Sequence, residues 1–291
     1  SFVAAVCLLT SILSAAAAPE GATPPSPRAP LEALVFAPHP DDEVIGCAAV
    51  ILRAHERQQR VGVVLLTNGD GYPALAAVVA RKNVDALAPE DFLRAGALRQ
   101  QHALTATARL GVNKDEVIFL GYPDSGLQAI YEQTESTPFT QVFTRKTETY
   151  GVTQRDYHSS EHGRPATYLK ANLIADLAEI IRRSRPREIY VTDEADTHRD
   201  HRAAFWFVRD AARAAAYGGP IFTYVAHGKG PAEPPSRRLV LTKEELETKR
   251  AALLDHQAGT SPIHDQLAAE YTKPEELFWT DKTGTAAPEK K

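Results

Sequence analysis

Apolar residues in this chain come in short dense runs separated by polar, glycine and proline punctuation. Leu34-Val35-Phe36, Val61 to Leu66, Glu116 to Leu120, Glu188 to Thr192 and Ile221 to Val225 are five such runs. Runs this short, bounded by turn residues and rich in Val, Ile, Phe and Tyr, read as buried strands. Between them the pattern changes to the helical period. Helices are expected from Val44 to about Gln59, from Asp91 to Leu110 with Gly111 as a stop, and from Tyr168 to Arg183, where Pro186 follows. Arg202 to Tyr217 ends at Gly218-Gly219-Pro220, and the capping-box pattern Thr242 to Glu245 opens a helix through about Gln257. Ala74 to Ala88 reads as a short helix or lid. Strands alternating with helices at these lengths imply right-handed crossovers and parallel pairing, hence an α/β chain with a mostly parallel sheet. No glycine-rich turn follows the first strand, which excludes a dinucleotide-binding reading.

Four stretches depart from that pattern. Residues 1–18 are apolar and end in alanines, as a secretory signal with an Ala-x-Ala cleavage region does. They lack a basic start and an initiator Met, so the first residues of the signal are expected to be missing. A retained membrane anchor is the alternative, and the alanine-rich end with the proline-rich stretch after it favours cleavage. Residues 19–30 form a Pro-rich linker, the domain runs over 31–280, and 281–291 read as a disordered tail. The fourth stretch, 121–165, carries no strong period and reads as a long insertion. Its aromatics, Tyr122, Tyr131, Phe139, Phe143, Tyr150 and Tyr157, with Tyr168 just beyond, suit stacking on sugar rings, but a small satellite core is the preferred reading for most. His158 and His162 in this stretch read as surface residues.

Charge and cysteine content narrow the function classes. The net charge of −4 supports no nucleic-acid partner. Of the two cysteines, Cys7 falls in the signal segment, and Cys47 is left to pack as a small apolar residue without a disulfide. Export to the periplasm, cell envelope or medium is expected, with no stable membrane insertion after cleavage.

The chemistry concentrates at two strand ends. Pro38-His39-Pro40-Asp41-Asp42-Glu43 follows the first strand and precedes the first helix. An imidazole and three carboxylates so close together repel and resist desolvation unless positive charge sits among them. A divalent metal is the simplest such partner; His39 and Asp42 suit Zn²⁺, which leaves Asp41 as a candidate general base. A second cluster, Asp193 to His201, follows the fourth strand, and His198 and His201, three apart, share a face on a helical first turn. Open α/β sheets place their ligands at such strand ends, so the two clusters are expected to converge. Asp70 and Tyr72 follow the second strand in Thr67-Asn68-Gly69-Asp70-Gly71-Tyr72-Pro73 and are either pocket wall or plain turn chemistry. His227, after the fifth strand, is a further pocket candidate.

These two motifs resemble the signatures of the PIG-L/LmbE-like zinc-dependent de-N-acetylases, over roughly residues 33–257. The resemblance implies His39, Asp42 and His201 as metal ligands and Asp41 as general base. It implies His198 as the cation that stabilises the oxyanion, supported by Asp200. Arg99 and Asp124 fall where the family contacts its sugar. With the element order, the expected fold is α/β, a Rossmann-like three-layer α/β/α arrangement with a mostly parallel sheet. The departures are Pro38 where the family has Ala, Arg199 where it has Pro, and His102 where it often has Glu. The expected function is removal of an N-acetyl group from an N-acetylglucosamine-type sugar or glycan, with one Zn²⁺ per chain or another divalent transition metal. A metal-dependent amidase or esterase of a different substrate is the alternative. A non-catalytic carbohydrate-binding module is disfavoured, because it would not need Asp41.

Overall fold

The computed structural model describes residues 29–134, 136–260 and 266–281. The expected signal segment 1–18, residues 19–28 of the linker and the tail from 282 lie outside them. The elements in chain order are β1 (Ala33–Ala37), α1 (Asp42–Glu56), β2 (Val61–Thr67), α2 (Pro73–Ala80) and α3 (Pro89–Arg109). After these come β3 (Val117–Tyr122), α4 (Leu127–Glu132), α5 (Tyr157–His162), α6 (Lys170–Ser184), β4 (Glu188–Thr192) and α7 (Arg199–Ala214). The chain closes with β5 (Ile221–Tyr224), β6 (Arg237–Val240), α8 (Lys243–Gln257), α9 (Leu267–Tyr271) and β7 (Glu275–Thr280). No helix among the described residues is long and apolar enough to cross a membrane.

The strands form one sheet in the order β3-β2-β1-β4-β5-β7-β6. The first five are parallel, and β7 and β6 join antiparallel at one edge. Every residue of β1 and β2 is buried, which is why their sequence is apolar without alternation. Alternate side chains nevertheless sort to opposite faces. Leu34, Phe36, Val64 and Leu66 pack with Leu177, Ile181 and Phe207 on one face; Val35, Val63 and Leu65 pack with Ile51, Ala103 and Leu253 on the other. Two apolar layers around one sheet make the three-layer α/β/α architecture.

The strand order positions the site. The chain runs outward from β1 to β2 and β3, then returns to lay β4 against the other side of β1, pairing Val35 with Tyr190. Neighbouring strands whose connections leave in opposite directions open a crevice at their carboxyl ends. Both motifs follow those two ends.

Two strands, β6 and β7, were not expected from the sequence. Both are short, and β6 alternates half-buried with exposed residues at the sheet edge, too weak a signal to rise above its Pro-rich surroundings. The 121–165 insertion holds two short helices, α4 and α5, and a bridge between Glu148 and Thr167. Tyr122, Tyr157 and Tyr168 are buried in the main core with Tyr131 and Phe139 packed against them, and Phe143 stacks on Phe92.

Candidate functional site

The first motif is a tight turn between β1 and α1. Pro38 O accepts hydrogen bonds from Thr67 N (3.1 Å) and Thr67 Oγ1 (2.9 Å), tying the turn to the end of β2. Asp41 caps α1 at φ 134°, in the region that favours glycine, so this backbone is held against its preference. Glu43 supplies the restraint: Asp41 N–H donates to its Oε2 (3.0 Å), and the other oxygen of that buried carboxylate meets His256 Nε2 of α8 at 3.0 Å. His39 N–H donates to Asp42 Oδ2 (3.0 Å), which turns the Asp42 carboxylate toward the imidazole before it.

The second motif leaves β4 and starts α7 at Arg199, earlier than the helical period suggested, with His198 as the N-cap. His201 therefore lies in the first turn, aimed back at β1. Asp196 fixes it: Oδ2 faces His201 Nδ1 at 3.1 Å and accepts from Ala226 N and His227 N, both at 3.0 Å. Burial works against the charge on Asp196, but these bonds hold its pKa below the ordinary carboxylate value.

The two motifs meet. His39 Nδ1, His201 Nε2 and Asp42 Oδ2 stand 3.2, 3.1 and 3.2 Å apart in a triangle. A tetrahedral zinc centre with bonds of about 2.0–2.1 Å has donor–donor edges of about 3.3–3.4 Å, so the triangle matches one face of it. The opposite ring nitrogens are already engaged. His201 Nδ1 faces Asp196, while His39 Nε2 faces Asp124 Oδ1 (3.3 Å) and Asp200 Oδ2 (3.4 Å). Protons on those outer nitrogens leave both inner lone pairs pointing at one place, the arrangement of carboxylate-oriented metal-binding histidines. Charge agrees with geometry. Burial disfavours charge on both rings, yet the surrounding carboxylates raise His39 well above 6.5 and His201 to about 9. The cluster thus draws positive charge inward, and a divalent cation meets that demand without two N–H groups facing each other at 3.2 Å. These residues fit a divalent transition metal.

A cavity of about 940 Å³ opens over this triangle and is lined by His39, Asp41, Asp42, Arg99, Asp124, His198 and His227. Burial raises the pKa of Asp41; Arg99 pulls it back and Asp42 and Glu43 push it up further, leaving it raised. Arg99 Nη2 donates to Asp41 Oδ2 (2.9 Å) and Pro40 O (2.6 Å), and Nη1 to Gly69 O (3.1 Å). Gly69 has φ 65°, and a Cβ there would lie 2.2 Å from the guanidinium, so the turn after β2 must be glycine.

A family model described as GlcNAc-PI de-N-acetylase matches residues 34–212, more than half the chain and both motifs. The chain belongs to the PIG-L family. No curated protein matches it. Among solved structures, the conserved protein TT1542 from Thermus thermophilus is 23% identical at a TM-score of 0.54, over 90% of this chain and 99% of that one. The N,N'-diacetylchitobiose deacetylase of Pyrococcus horikoshii, in complex with its inhibitor MPG, is 15% identical at 0.56, over 85% and 82%. The 4-carboxy-2-hydroxymuconate hydratase GalB from Pseudomonas putida KT2440 is 17% identical at 0.53, over 90% and 98%. These likenesses establish the fold: PIG-L chains share it with an enzyme described as a hydratase.

Within this PIG-L chain the residues singled out from sequence take up specific partners. The Asp200 carboxylate acts on His198 through its charge, and its hydrogen bonds go elsewhere. Oδ2 accepts from Ser125 N (2.6 Å) and faces His39, while Oδ1 accepts from Leu127 N (3.1 Å). Only the Asp200 backbone reaches His198, its N–H donating to Nδ1 at 3.3 Å. For His198, burial first, then the charges of His39 and His201, push the pKa down to about 4, while the Asp200 charge works the other way. A neutral ring that accepts at Nδ1 carries its proton on Nε2, as a neutral donor. Arg99 and Asp124 line the cavity, with polar atoms engaged by the first motif and by the turn after β2; Asp124 Oδ2 accepts from Gly71 N at 2.7 Å. Tyr72 and His227 line it as expected. Asp70 does not: the Gly69 turn sends it inward, where Tyr150 Oη donates to Oδ2 and Oδ1 has no partner among the described residues. The sequence reading did not anticipate Gln266, Glu270 and Tyr271 around α9, which complete the rim, with Tyr271 Oη 3.0 Å from His227 Nδ1. Nothing local marks them.

Proposed function

We propose that this chain is a metal-dependent de-N-acetylase that hydrolyses an N-acetyl amide on an aminosugar or glycan. The observation that carries the reading is the triangle of His39, Asp42 and His201 donors with the Asp41 carboxylate beside it. His39, Asp42 and His201 would hold Zn²⁺, whose chemistry there would be to polarise the carbonyl and to lower the pKa of a water to about 7.

The chain's own residues supply the rest. Asp41, its pKa raised by burial, takes the proton of the attacking water and returns it to the leaving amine, so the amide is exchanged for acetate and free amine. Arg99 fixes the Asp41 carboxylate through one oxygen and leaves the other for the proton. His198 donates Nε2–H to the carbonyl oxygen as it becomes anionic, a role that a neutral ring performs. Asp200 and Asp124 orient His39, and Asp196 orients His201. The open cavity between Tyr72, His227 and Tyr271 has room for a sugar ring.

Acetate release from a panel of N-acetylated sugars, with O-acetyl esters beside them, tests the reading with and without chelator. Asp41→Ala is expected to keep its metal and lose about 10²- to 10⁴-fold in turnover. His201→Ala is expected to lose metal and turnover together. Parental turnover in Asp41→Ala, or in metal-stripped protein, defeats the mechanism; esters hydrolysed in preference to amides defeat the substrate class.

A further inference from the structure

A second set of metal-competent side chains lies where the 121–165 insertion packs on α6 and shares no residue with the first. Helix α5 is little more than one turn, yet both ends are pinned. Asp156 caps it by accepting from Ser159 N (3.0 Å), and Gly163 closes it at φ 75°. Four residues apart, His158 and His162 fall on one face, with ring centroids 4.5 Å apart. That face packs toward α6, where Asp176 and Glu179, three apart, present their carboxylates. His158 Nδ1 stands 2.7 Å from Asp176 Oδ1, and His162 Nε2 stands 3.0 Å from Glu179 Oε2. One donor atom each from His158, His162 and Asp176 lie within 4.8 Å of one another.

Asp176 is the informative member. It is 2% exposed on the surface of a helix that would otherwise bury an apolar side chain there, and burial raises its pKa. Tyr122 Oη donates to Oδ2 at 2.9 Å, which orients the carboxylate and leaves Oδ1 facing the imidazoles. This is how ligating carboxylates are held from behind. His162, by contrast, is exposed enough to swing. A tetrahedral centre needs donor edges of about 3.3–3.4 Å, a closure that rotation of this one side chain provides. Two imidazoles and two carboxylates favour zinc, nickel or copper over calcium or magnesium, which take oxygen donors.

We propose that His158, His162 and Asp176, with Glu179 as fourth donor, form a second divalent transition-metal site that clamps the insertion onto α6. Arg183, 3.3 Å from Glu179 Oε1, is the group a metal displaces from that carboxylate. The clamp has a structural consequence. The insertion also supplies Asp124 to the cavity and Tyr150 to Asp70, so fixing its far end steadies one wall of the pocket.

The test uses Zn²⁺ alone on the full chain. Metal-free protein is loaded with Zn²⁺, desalted and analysed for bound metal, beside His162→Gln and His158→Gln. His162 is exposed, so His162→Gln is expected to fold normally. The wild type is expected to retain two zinc ions per chain and each variant one, with the rise in unfolding temperature on loading reduced in the variants. Equal metal content in wild type and both variants, whether one or two ions, overturns the proposal. So does loss of the second ion in Asp42→Asn with its retention in His162→Gln.

Discussion

At the scale of single residues, the site works by pushing neighbouring ionisable groups in opposite directions. Asp42 is held well below the ordinary carboxylate range, while Asp41 beside it is raised. Asp70 shows the same physics with no catalytic purpose assigned to it. Burial, with the Asp124 charge adding to it, lifts its pKa from 3.8 to about 8. An acid whose folded pKa is raised favours the protonated folded state, so its contribution declines as pH rises from the unfolded value through the folded one. Stability should therefore fall between about pH 4 and 8 on this account. Asp70→Asn, which cannot ionise, is expected to remove that slope and to stabilise the protein at pH 8 by on the order of a few kcal/mol. Urea unfolding at pH 5 and pH 8 measures it, and parallel curves for the two proteins would count against it. The acidic motif was legible in the sequence because its members are adjacent. The inward turn of Asp70 was not, since Asp-Gly reads alike whether the side chain faces solvent or Tyr150.

At the scale of elements, the close seat of α1 on the sheet sets the position of Asp42. A Cβ on Gly46 would lie 2.1 Å from the Tyr224 ring, so glycine lets α1 approach β5. Gly46→Ala is expected to cost about 1–3 kcal/mol or more by overpacking. The shift it forces on α1 should also lower metal affinity, although Gly46 touches no ligand. Isothermal titration with Zn²⁺ reads that coupling; unchanged affinity with lowered stability would separate helix seating from site geometry. Apolar runs and the Thr242–Glu245 capping box announced their elements in advance, the box being observed as expected. The short strands β6 and β7 and the short α4 and α5 were obscure, because elements of four to six residues owe their existence to neighbours rather than to period.

At the scale of the whole molecule, the proposed metal couples to the fold. Without a cation, His201 gains a proton on folding, its pKa raised to about 9. That contribution is fully present below the unfolded value near 6.5 and is lost as pH climbs through about 9. Metal-stripped protein should accordingly lose stability across that window, and Zn²⁺ should restore it most at the alkaline end. Thermal unfolding of stripped and loaded protein at pH 6 and pH 9 checks this; an equal zinc effect at both would refute it. Residue order alone was enough to mark where the candidate site lies, because His39, Asp41 and Asp42 lie side by side at a strand end. It was enough for the α/β class too, since burial on both faces writes itself into five apolar runs. Folding decided the rest. His39 meets His201 across 162 residues only because β4 lies against β1. The same packing turned Asp200 toward His39, buried His198 beside two other imidazoles and brought α9 to the rim. Those are contacts between distant segments, and no local pattern encodes which of several nearby groups a buried carboxylate will face.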